Sequence, residues 1–424
     1  MYIYSLKFTF RSLFRDVIRG LPARLFVYPR LKKNEFSFEN LSLYTKQADG
    51  NVSKNLNSLS VIGKKSDCID KDTVRADPEK FTAPRSLRTI VRTTIKTSGS
   101  TGRPLTIVQD FWAVVKEEAF VYRQLRWTGY RHRDRRVWLR GDVVCSNNPN
   151  NRIFGCRDWW TNTLMLSSYH LSASTIAGYV NTIRDFNPVL IQAYPSSIYG
   201  IAAWMLANNV RYTGKSLLAI VTSSETLEAH MKISIEKAFN CSVFDWYGQA
   251  ERVVAIGTCE RGKHHVLTDY GITELLPVED GLYELVGTGY NNRAMPLAKY
   301  RTGDIVDVGM ESCSCKRIFP VIKKVIGRRD RTIVLSDGRI IGRLDHVFKG
   351  IENVVEGQVV YRGNNCFVLR VVPGAHWDYK DAELMKAQLQ ERVHGAQVIV
   401  ETVSSIPRGP NGKFEFVRLE GADR

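Results

Sequence analysis

Two glycines and four hydroxyl side chains occur together in the run TSGSTGRP, residues 97–104. Glycine permits a positive φ, so several backbone N–H groups can point toward one anion, and Arg103 adds a positive charge. The run lies between two extended stretches, LRTIVRTTIK and LTIVQD. Its glycines are too close together for the Walker A pattern G-x-x-x-x-G-K-[ST]. The pattern favours a loop that binds a polyphosphate, and a flexible Ser/Gly hairpin loop is the alternative.

A second motif, FDWYGQAE at residues 244–251, joins aromatic side chains to a carboxylate. An aromatic ring beside Gly248 can stack on a flat base, and Glu251 can hold Mg²⁺ near phosphates. A third motif, YRTGD at residues 300–304, presents Asp304 after a tight glycine turn. That carboxylate can accept hydrogen bonds from both hydroxyls of a ribose. For residues 244–251 the alternative is a core strand followed by a capped turn. For residues 300–304 the alternative is an ordinary surface turn.

Two further motifs lie toward the carboxyl end of the chain. The run GRRD at residues 327–330 is charged and joins two regions of different composition. The run IPRGPNGKF at residues 406–414 is a Pro/Gly-rich loop that presents Lys413 before an apolar stretch. A charged linker and a solvated lysine are the alternatives. Each motif is modest alone, and their order along the chain makes the set specific.

Several cysteines and histidines have the side-chain types of a zinc site. Cys259 is followed by His264 and His265, and Cys313 and Cys315 lie later in the same β-rich region. Zn²⁺ prefers thiolate and imidazole ligands, four of them in a tetrahedron. The two segments could therefore meet around a structural zinc. Reduced structural thiols with surface histidines are the alternative.

The segments that must position these motifs alternate in type from residue 88 to about residue 250. Strand-like runs occur at 135–140, 188–194, 217–224 and 241–247. Helix-like runs occur at 110–127, 196–209 and 227–240. This alternation predicts α/β layers with a mostly parallel sheet. Residues 46–80 are polar and charged, which predicts loops.

The later part of the chain has a different pattern. Short β runs with glycine turns predict a β subdomain over about residues 264–326. Residues 329–424 contain β runs around a clear helix at 378–393, which predicts a small α+β domain. We therefore expect a basic helical and loop region at 1–80, a large α/β domain at 81–328, and the small domain at 329–424.

Composition limits the class of protein. The chain has 424 residues and a formal net charge of +17, which favours anionic partners such as phosphates, nucleic acid or an acidic membrane face. The eight cysteines are too sparse for a disulfide scaffold. No apolar run approaches the roughly 20 residues of a membrane span, and the start lacks a signal-peptide pattern. We expect a cytoplasmic protein.

Residues 1–33 alternate aromatic or aliphatic side chains with arginine and lysine, and Asp16 is their one acid. One interpretation is a surface helix on an anionic leaflet, which would place the protein at the inner face of a membrane. The other is a helix packed on the domain with its arginines in water. Nucleic-acid binding is the rival use of the positive charge. Because no RNA-recognition, zinc-finger or helix-turn-helix signature occurs, we expect no nucleic-acid partner.

In this order, the motifs TSGSTGRP, WYGQAE, YRTGD, IGRRD and PRGPNGK resemble those of the adenylate-forming superfamily of acyl-CoA synthetases, nonribosomal peptide adenylation domains and luciferases. Within it, the chain is most similar to phenylacetate–CoA ligase relatives, especially the CapK-like branch of capsule biosynthesis. The resemblance covers about residues 80–420. It implies an α/β fold in which a large adenylate-forming domain, 81–328, binds ATP and the acyl group. A small mobile α+β domain follows it.

The resemblance also implies an activity. The chain would use ATP and Mg²⁺ to convert a small carboxylic acid into an acyl-adenylate and pyrophosphate. It would then transfer the acyl group to a thiol or amine, such as coenzyme A, a carrier protein or an amino sugar. Surface polysaccharide biosynthesis is the expected role, and an aryl-CoA ligase of aromatic acid metabolism is the alternative. A non-catalytic nucleotide-binding or nucleic-acid-binding protein is a second alternative.

Roles for individual residues follow from the resemblance. Tyr247 would stack on adenine, and Glu251 would ligate Mg²⁺. Asp304 would hold the ribose hydroxyls with help from Arg328. Residues 97–103 would hold the β- and γ-phosphates of ATP. Nucleotide contacts are implied for Thr97, Ser98, Gly99, Ser100, Thr101, Gly102, Arg103, Ser224, Glu225, Asp245, Trp246, Tyr247, Gly248, Gln249, Asp304 and Arg328.

Lys413 would bind the carboxylate and the α-phosphate during adenylation, and Asp330 would act as the hinge of the small domain. The turn at 223–225 and the helix start at 194–197 would lie near the acyl pocket. The cysteine spacing is similar to that of the CapK-like branch, which favours a zinc site of Cys259, His265, Cys313 and Cys315.

Two positions depart from the family pattern. Arg103 replaces the usual lysine, although arginine keeps the charge and can bind phosphate with two N–H groups. Gln249 and Ala250 replace the usual residues before the acid, including a threonine that touches the α-phosphate. These changes keep the phenylacetate assignment and a degenerate nucleotide binder open.

Overall fold

A computed structural model of the protein describes residues 2–49, 59–62, 65, 68–97, 105–144, 155–172, 174–278, 281–309, 312–328, 333–335, 340–341, 344–348, 351, 353–374, 376–393, 395–409 and 413–420. The chain divides into two compact units. The first comprises Met1–Thr9, Arg133–Val243 and Arg329–Arg424, and the second comprises Phe10–His132 and Phe244–Arg328.

The α-helices of the described residues are α1 Tyr2–Arg15, α2 Tyr28–Asn34, α3 Phe38–Asp49, α4 Lys71–Ala76, α5 Phe111–Trp127, α6 Ile176–Phe186, α7 Pro195–Ala207, α8 Ala229–Phe239 and α9 Tyr379–Arg392. Two π-helical turns, Asp16–Gly20 and Ala23–Val27, connect α1 to α2, and a 3₁₀ helix spans Leu344–Phe348. Among these residues, no helix combines the length and apolarity that crossing a membrane requires.

The strands are β1 Ser60–Val61, β2 Arg92–Lys96, β3 Thr106–Asp110, β4 Arg136–Arg140, β5 Gly155–Asp158, β6 Thr163–Ser167, β7 Leu190–Ala193, β8 Ala219–Ser223, β9 Ser242–Gly248, β10 Ala255–Thr258, β11 His264–Val266, β12 Gly271–Pro277, β13 Tyr283–Gly289, β14 Tyr300–Asp307, β15 Val321–Ile322, β16 Lys324–Arg328, β17 Ile333–Val334, β18 Ile340–Ile341, β19 Val354–Tyr361, β20 Cys366–Pro373, β21 Gln397–Thr402 and β22 Val417–Leu419.

The first unit contains the predicted parallel layer. Its strands run in the order β8-β7-β4-β6-β5, and all neighbours are parallel except the antiparallel pair of β5 and β6. The residues of β7 are all buried, as expected for a central strand covered on both faces. Pro195 opens α7 at a position where its missing N–H costs nothing. Asn187 ends α6 in the left-handed conformation with φ of 48°.

The carboxyl-terminal part of the first unit has its own sheet, in the order β21-β20-β19-β22. The helix α9 begins with a capping box, in which Asp378 and Asp381 each bond the other's backbone N–H. Buried side chains of this part, including Val355 and Ile406, join the core cluster that also contains Ile198 of α7. Side chains from 133–243 and from 329–424 therefore contribute to the same core cluster of the first unit.

The second unit is mostly antiparallel. The strands β9, β10, β11 and β15 pair in that order, and β2 pairs with β3 as a hairpin. A further sheet has the order β1-β12-β13-β14-β16, in which β1 and β12 are parallel. Asp110 caps α5 by accepting a hydrogen bond of 2.9 Å from the Ala113 N–H. A buried ion pair of 2.7 Å joins Arg123 on α5 to Asp269.

The helices predicted at 110–127, 196–209, 227–240 and 378–393 are α5, α7, α8 and α9, with nearly the same bounds. The prediction of loops over residues 46–80 is wrong at α4. This short helix forms because the Asp70 side chain accepts the Thr73 N–H at 2.9 Å, and because Val74 is fully buried. A polar composition conceals a helix that one cap and one buried valine are enough to specify.

Candidate functional site

An aromatic ring and a carboxylate from two sequence motifs meet in the second unit. Tyr247 lies on β9 and Asp304 on β14, and the Tyr247 hydroxyl donates a hydrogen bond of 2.7 Å to Asp304 Oδ2. Burial raises the pKa of the Tyr247 phenol well above its ordinary value, and the charge of Asp304 adds to the rise. The phenol therefore stays protonated at neutral pH and keeps donating to Asp304.

The backbone around Asp304 is fixed by its neighbours. The Thr302 hydroxyl accepts the Asp304 N–H at 3.0 Å and donates to the Leu285 carbonyl at 2.9 Å. Gly303 has a φ of 73°, a conformation in which a β-carbon would be strained. The antiparallel register of β14 and β16 places Arg328 opposite Asp304. The structure thus places both predicted ribose-binding residues at one position of the sheet.

The turn after β9 carries Glu251. The buried Tyr300 side chain donates a hydrogen bond of 3.0 Å from its hydroxyl to Glu251 Oε1. The Gln109 amide donates to the Ala250 carbonyl at 3.2 Å. These contacts hold the backbone and the carboxylate of the turn in one orientation.

The remaining predicted nucleotide contacts of this motif lie on β9 and the turn after it. Asp245, Trp246 and Gly248 belong to the strand. The Asp245 N–H donates to Thr258 Oγ1 at 3.1 Å, and Gln249 lies in the turn that follows the strand. The side chain of Trp246 packs partly buried against a core cluster.

Thr97 closes the base of the predicted phosphate loop. Its N–H donates to the Leu105 carbonyl at 2.9 Å, and the Leu105 N–H donates to Thr97 Oγ1 at 2.9 Å. The predicted phosphate loop therefore connects the antiparallel strands β2 and β3. Several predicted residues lie outside the described part of the chain, namely Ser98, Gly99, Ser100, Thr101, Gly102, Arg103 and the predicted hinge residue Asp330.

In the first unit, the turn at 223–225 faces a basic side chain. Arg140 at the end of β4 donates a hydrogen bond of 2.6 Å to Ser224 Oγ. Its guanidinium lies 4.9 Å from the ring centroid of Trp138 and 5.1 Å from that of Tyr194. Burial lowers the pKa of Arg140. Aromatic rings and the Ser224 hydroxyl contact the guanidinium, and the carboxylates of Asp142 and Glu225 act on its charge from a longer distance.

The Glu225 carboxylate accepts hydrogen bonds from two backbone N–H groups. The Ser196 N–H at the start of α7 donates to Oε2 at 3.1 Å, and the Phe414 N–H donates to Oε1 at 2.8 Å. A carboxylate at a helix N-terminus is favoured by the helix dipole. Glu225 therefore ties the backbone next to Lys413 to the first turn of α7.

Further contacts hold the loop that carries Lys413. The Lys413 carbonyl accepts the Gly409 N–H at 2.9 Å, which brings the two ends of the loop together. The Phe414 ring packs on the core cluster of the first unit, 4.8 Å from the Arg408 guanidinium. Arg408 in turn forms an ion pair with Glu356 on β19. The position of Lys413 within the first unit is thus set by its neighbours on both sides.

The second unit also brings together the four predicted zinc ligands. The donor atoms of Cys259, His265, Cys313 and Cys315 all lie within 4.8 Å of one another. The Sγ atoms of Cys259 and Cys313 are 3.6 Å apart, and Cys315 Sγ lies 3.3 Å from His265 Nε2. A tetrahedral zinc with Zn–S bonds of about 2.3 Å would separate two thiolates by about 3.8 Å. The spacing of the cluster fits that ion.

Further hydrogen bonds orient the side chains of this cysteine and histidine cluster. His265 Nδ1 lies 3.1 Å from the Phe319 carbonyl, which directs Nε2 toward the cysteines. The backbone N–H groups of Arg261 and Cys315 each donate at 3.4 Å to a cysteine Sγ of the cluster. His264 points elsewhere, with Nδ1 3.2 Å from Thr258 Oγ1.

Sequence reasoning did not single out Arg140 or the hydroxyl of Tyr300. Nothing local distinguishes Arg140 from the other arginines of its strand. One signal was available, because Arg140 ends a parallel strand, and ligand sites of α/β proteins collect at the carboxyl ends of such strands. The partner of Tyr300 depends on a long-range contact that no local pattern encodes.

Comparison with known proteins gives sequence relatives for most of the chain. Residues 333–420 match the CapK C-terminal domain family. The chain is 26% identical to Protein CapK of Staphylococcus aureus over 354 residues, which cover 82% of this chain and 78% of that protein. It is also 26% identical to phenylacetate-coenzyme A ligase of Thermus thermophilus over 168 residues, 37% of this chain and 38% of that protein.

A solved structure shares the fold. The crystal structure of 2-hydroxyisobutyryl-CoA ligase in the postadenylation state, in complex with R3-HIB-AMP, matches with a TM-score of 0.60 and 16% identity, covering 92% of this chain and 88% of that one. At this identity, the likeness establishes the fold. The predicted α/β fold of an adenylate-forming ligase is confirmed, and so is the predicted resemblance to CapK and phenylacetate–CoA ligase relatives.

Proposed function

We propose that this chain, a sequence relative of CapK and of phenylacetate-coenzyme A ligase, is an ATP-dependent carboxylic acid ligase. It activates a small acid as an acyl-adenylate and transfers the acyl group to a thiol or amine. The observation that carries this proposal is the Tyr247–Asp304 pair, in which the hydroxyl of a partly buried ring lies 2.7 Å from an oriented carboxylate. Such a pair suits the base and the ribose of an adenosine. The ligase fold and the ligase relative support the reaction class.

In this proposal, residues of the second unit bind the nucleotide. The Tyr247 ring stacks on adenine, and Asp304 accepts the ribose hydroxyls. The backbone of Arg328 lies opposite Asp304 in the register of the sheet, and the family resemblance implies that Arg328 assists Asp304. The family resemblance implies that residues 97–103 hold the β- and γ-phosphates, and Thr97 is bonded to Leu105 at the end of the β2–β3 hairpin.

Glu251 is the residue that would hold Mg²⁺. A carboxylate is the oxygen ligand that this ion prefers, and Tyr300 keeps the Glu251 carboxylate in one orientation through its 3.0 Å hydrogen bond. When bound, Mg²⁺ neutralises negative charge on the phosphates. The protein's own contribution is to aim Glu251, because the turn and the carboxylate are both fixed by neighbouring side chains.

The reaction needs positioning and charge stabilisation. A carboxylate oxygen of the acid attacks the α-phosphorus, the bond to pyrophosphate breaks, and pyrophosphate leaves with the electron pair. The Lys413 ammonium stabilises the negative charge that gathers on the reacting oxygens. In the second step, the thiol or amine attacks the acyl carbonyl and loses its proton, and AMP leaves. Movement of residues 329–424 about Asp330 separates the two steps, as the family resemblance implies.

The two sequence relatives favour different acyl acceptors and different pathways. The similarity to CapK favours a role in surface polysaccharide biosynthesis, with an amino sugar as acceptor. The similarity to phenylacetate-coenzyme A ligase favours coenzyme A or a carrier-protein thiol instead. Product analysis with coenzyme A and with amino sugars separates the two.

The proposal is tested by ATP–pyrophosphate exchange on the purified protein with aryl, fatty, hydroxy and amino acids. We expect exchange that depends on one class of acid and on Mg²⁺. Tight ATP binding without exchange for any acid would favour a non-catalytic nucleotide binder. Salt-sensitive binding of nucleic acid with no pyrophosphate release would instead favour a non-catalytic nucleic-acid-binding protein.

Arg140 is proposed to orient the carboxylic acid substrate. It contacts Tyr194 of the helix start at 194–197 and Ser224 of the turn at 223–225, and both segments are expected near the acyl pocket. Replacing Arg140 by glutamine is expected to raise the KM for the acid roughly tenfold, the cost of one hydrogen bond to a charged group. The KM for ATP should change little. Steady-state kinetics with either substrate varied measures both constants, and the exposed Arg211→Gln variant is the matched control. An equal rise in both constants would contradict the assignment.

The cluster of Cys259, His265, Cys313 and Cys315 is proposed to hold a structural zinc, with its four donor atoms forming a closed tetrahedron. Replacing Cys313 by serine should reduce the zinc content from about one ion per chain to well below that. It should also lower the free energy of unfolding by at least about 3 kcal/mol, because zinc binding is coupled to folding. Metal analysis and denaturation measure both quantities. The Cys366→Ser variant, outside the cluster, should keep its zinc, whereas a wild-type protein without zinc would rule the site out.

A further inference from the structure

An apolar stripe runs along the outer side of the amino-terminal helical segment. Phe10, Phe14, Val17, Leu21 and Leu25 follow one another at intervals of four or three residues, the spacing of one helix face. All five are exposed, and Phe10, Phe14 and Leu25 have exposed fractions of 67%, 71% and 59%. Large apolar side chains scattered singly on a surface are ordinary, but a continuous row of them marks an interaction site.

The stripe is not the face by which the segment packs on the protein. That task belongs to Ala23, Val27 and Leu31, which are buried at their own spacing of four residues. They join a core cluster with Phe120 of α5. The segment is therefore anchored through one side, and its second apolar side remains at the surface.

Basic side chains flank the stripe. Arg11, Arg30, Lys32 and Lys33 are exposed, and within the described residues no carboxylate lies at ion-pair distance from them. The one acid of the segment, Asp16, pairs with Arg24 at 2.6 Å. The surface thus combines exposed apolar side chains with uncompensated positive charge.

We propose that this surface binds the face of an anionic lipid bilayer. The aromatic and aliphatic side chains would enter the boundary between headgroups and acyl chains, and the arginines and lysines would contact lipid phosphates. A second copy of the chain fits less well, because two such surfaces would bring like charges together. The proposal does not depend on the ligase activity, and it gives the protein a peripheral site on a membrane.

The test is vesicle co-sedimentation of the full chain. Vesicles of phosphatidylcholine with about one third phosphatidylglycerol are compared with vesicles of phosphatidylcholine alone. The account expects binding to the anionic vesicles that weakens as salt rises, because charge attraction is screened. Replacing Phe10, Phe14 and Leu25 together by serine should weaken binding at least about 30-fold, since three buried apolar groups are lost.

A control variant replaces Leu87, Val91 and Ile233, which are at least as exposed on average, by serine and should bind like the wild type. Circular dichroism and thermal denaturation confirm that both triple variants fold. Binding that is absent at low salt, or equal in the two triple variants, would overturn the proposal. So would a concentration-dependent dimer that the Phe10, Phe14 and Leu25 substitutions abolish, because a second copy would then be the occupant.

Discussion

Replacing Lys413 by alanine is expected to slow acyl-adenylate formation by roughly 1,000-fold, the effect of removing a charged group aimed at a transition state. The loop position supports this size, since Glu225 holds the Phe414 N–H at 2.8 Å and Gly409 closes the loop onto the Lys413 carbonyl. Transfer of the acyl group from a preformed adenylate should be nearly unchanged. The lysine acts on the α-phosphate, which no longer gains charge in that way during the second step.

Single-turnover assays measure the two half-reactions separately, with ATP and acid in one and synthetic acyl-adenylate and acceptor in the other. The Lys386→Ala variant is the matched control, because Lys386 lies on α9 and pairs only with the neighbouring Glu383 at 2.8 Å among the contacts described. It should retain both half-reactions. Equal loss of both half-reactions in Lys413→Ala would remove the proposed role.

Replacing Asp304 by alanine should lower kcat/KM for ATP by roughly 100-fold, because two charge-assisted hydrogen bonds to the ribose are lost. The substitution also removes the acceptor of the buried Tyr247 hydroxyl. Replacing Tyr247 by phenylalanine keeps the ring that stacks on adenine, so its loss should be near fivefold, the worth of about one hydrogen bond. Since the pKa of Tyr247 is raised by burial, neither effect should vary with pH between neutrality and mild alkali.

Initial rates with ATP varied at saturating acid test this prediction. Asp307 lies on the same strand and pairs with Lys323 at 2.8 Å near the surface, so Asp307→Asn is the matched control. Its kcat/KM for ATP should match that of the wild type. A larger loss in Tyr247→Phe than in Asp304→Ala, or a change confined to the KM for the acid, would place the nucleotide elsewhere.

The sequence made the long periodic elements predictable. The helices α5, α7 and α9 have apolar positions at helical spacing and recognisable starts at Asp110, Pro195 and Asp378. Local chemistry was sufficient there. The helix α4 was missed because a single cap and one buried valine outweigh its polar composition, and burial depends on the rest of the fold.

The candidate site was predictable as a set of motifs and not as a set of contacts. Motif order identified Tyr247 and Asp304, but their hydrogen bond joins residues from separate strands. Both Glu225 oxygens accept hydrogen bonds from backbone N–H groups that are distant in sequence. Arg140 and Ser224, which are in contact, are also far apart along the chain. Such contacts depend on how distant segments pack, and the spacing of residues along the sequence does not predict that packing.

The central claim is that the acid is activated by attack on the α-phosphate. Supplying the acid with ¹⁸O in its carboxylate and completing the reaction tests this claim most directly. The account predicts that one ¹⁸O appears in AMP, because the attacked carboxylate oxygen remains on the phosphate when the acyl group leaves. Label in inorganic phosphate together with ADP would contradict it, since the acid would then have attacked the γ-phosphate.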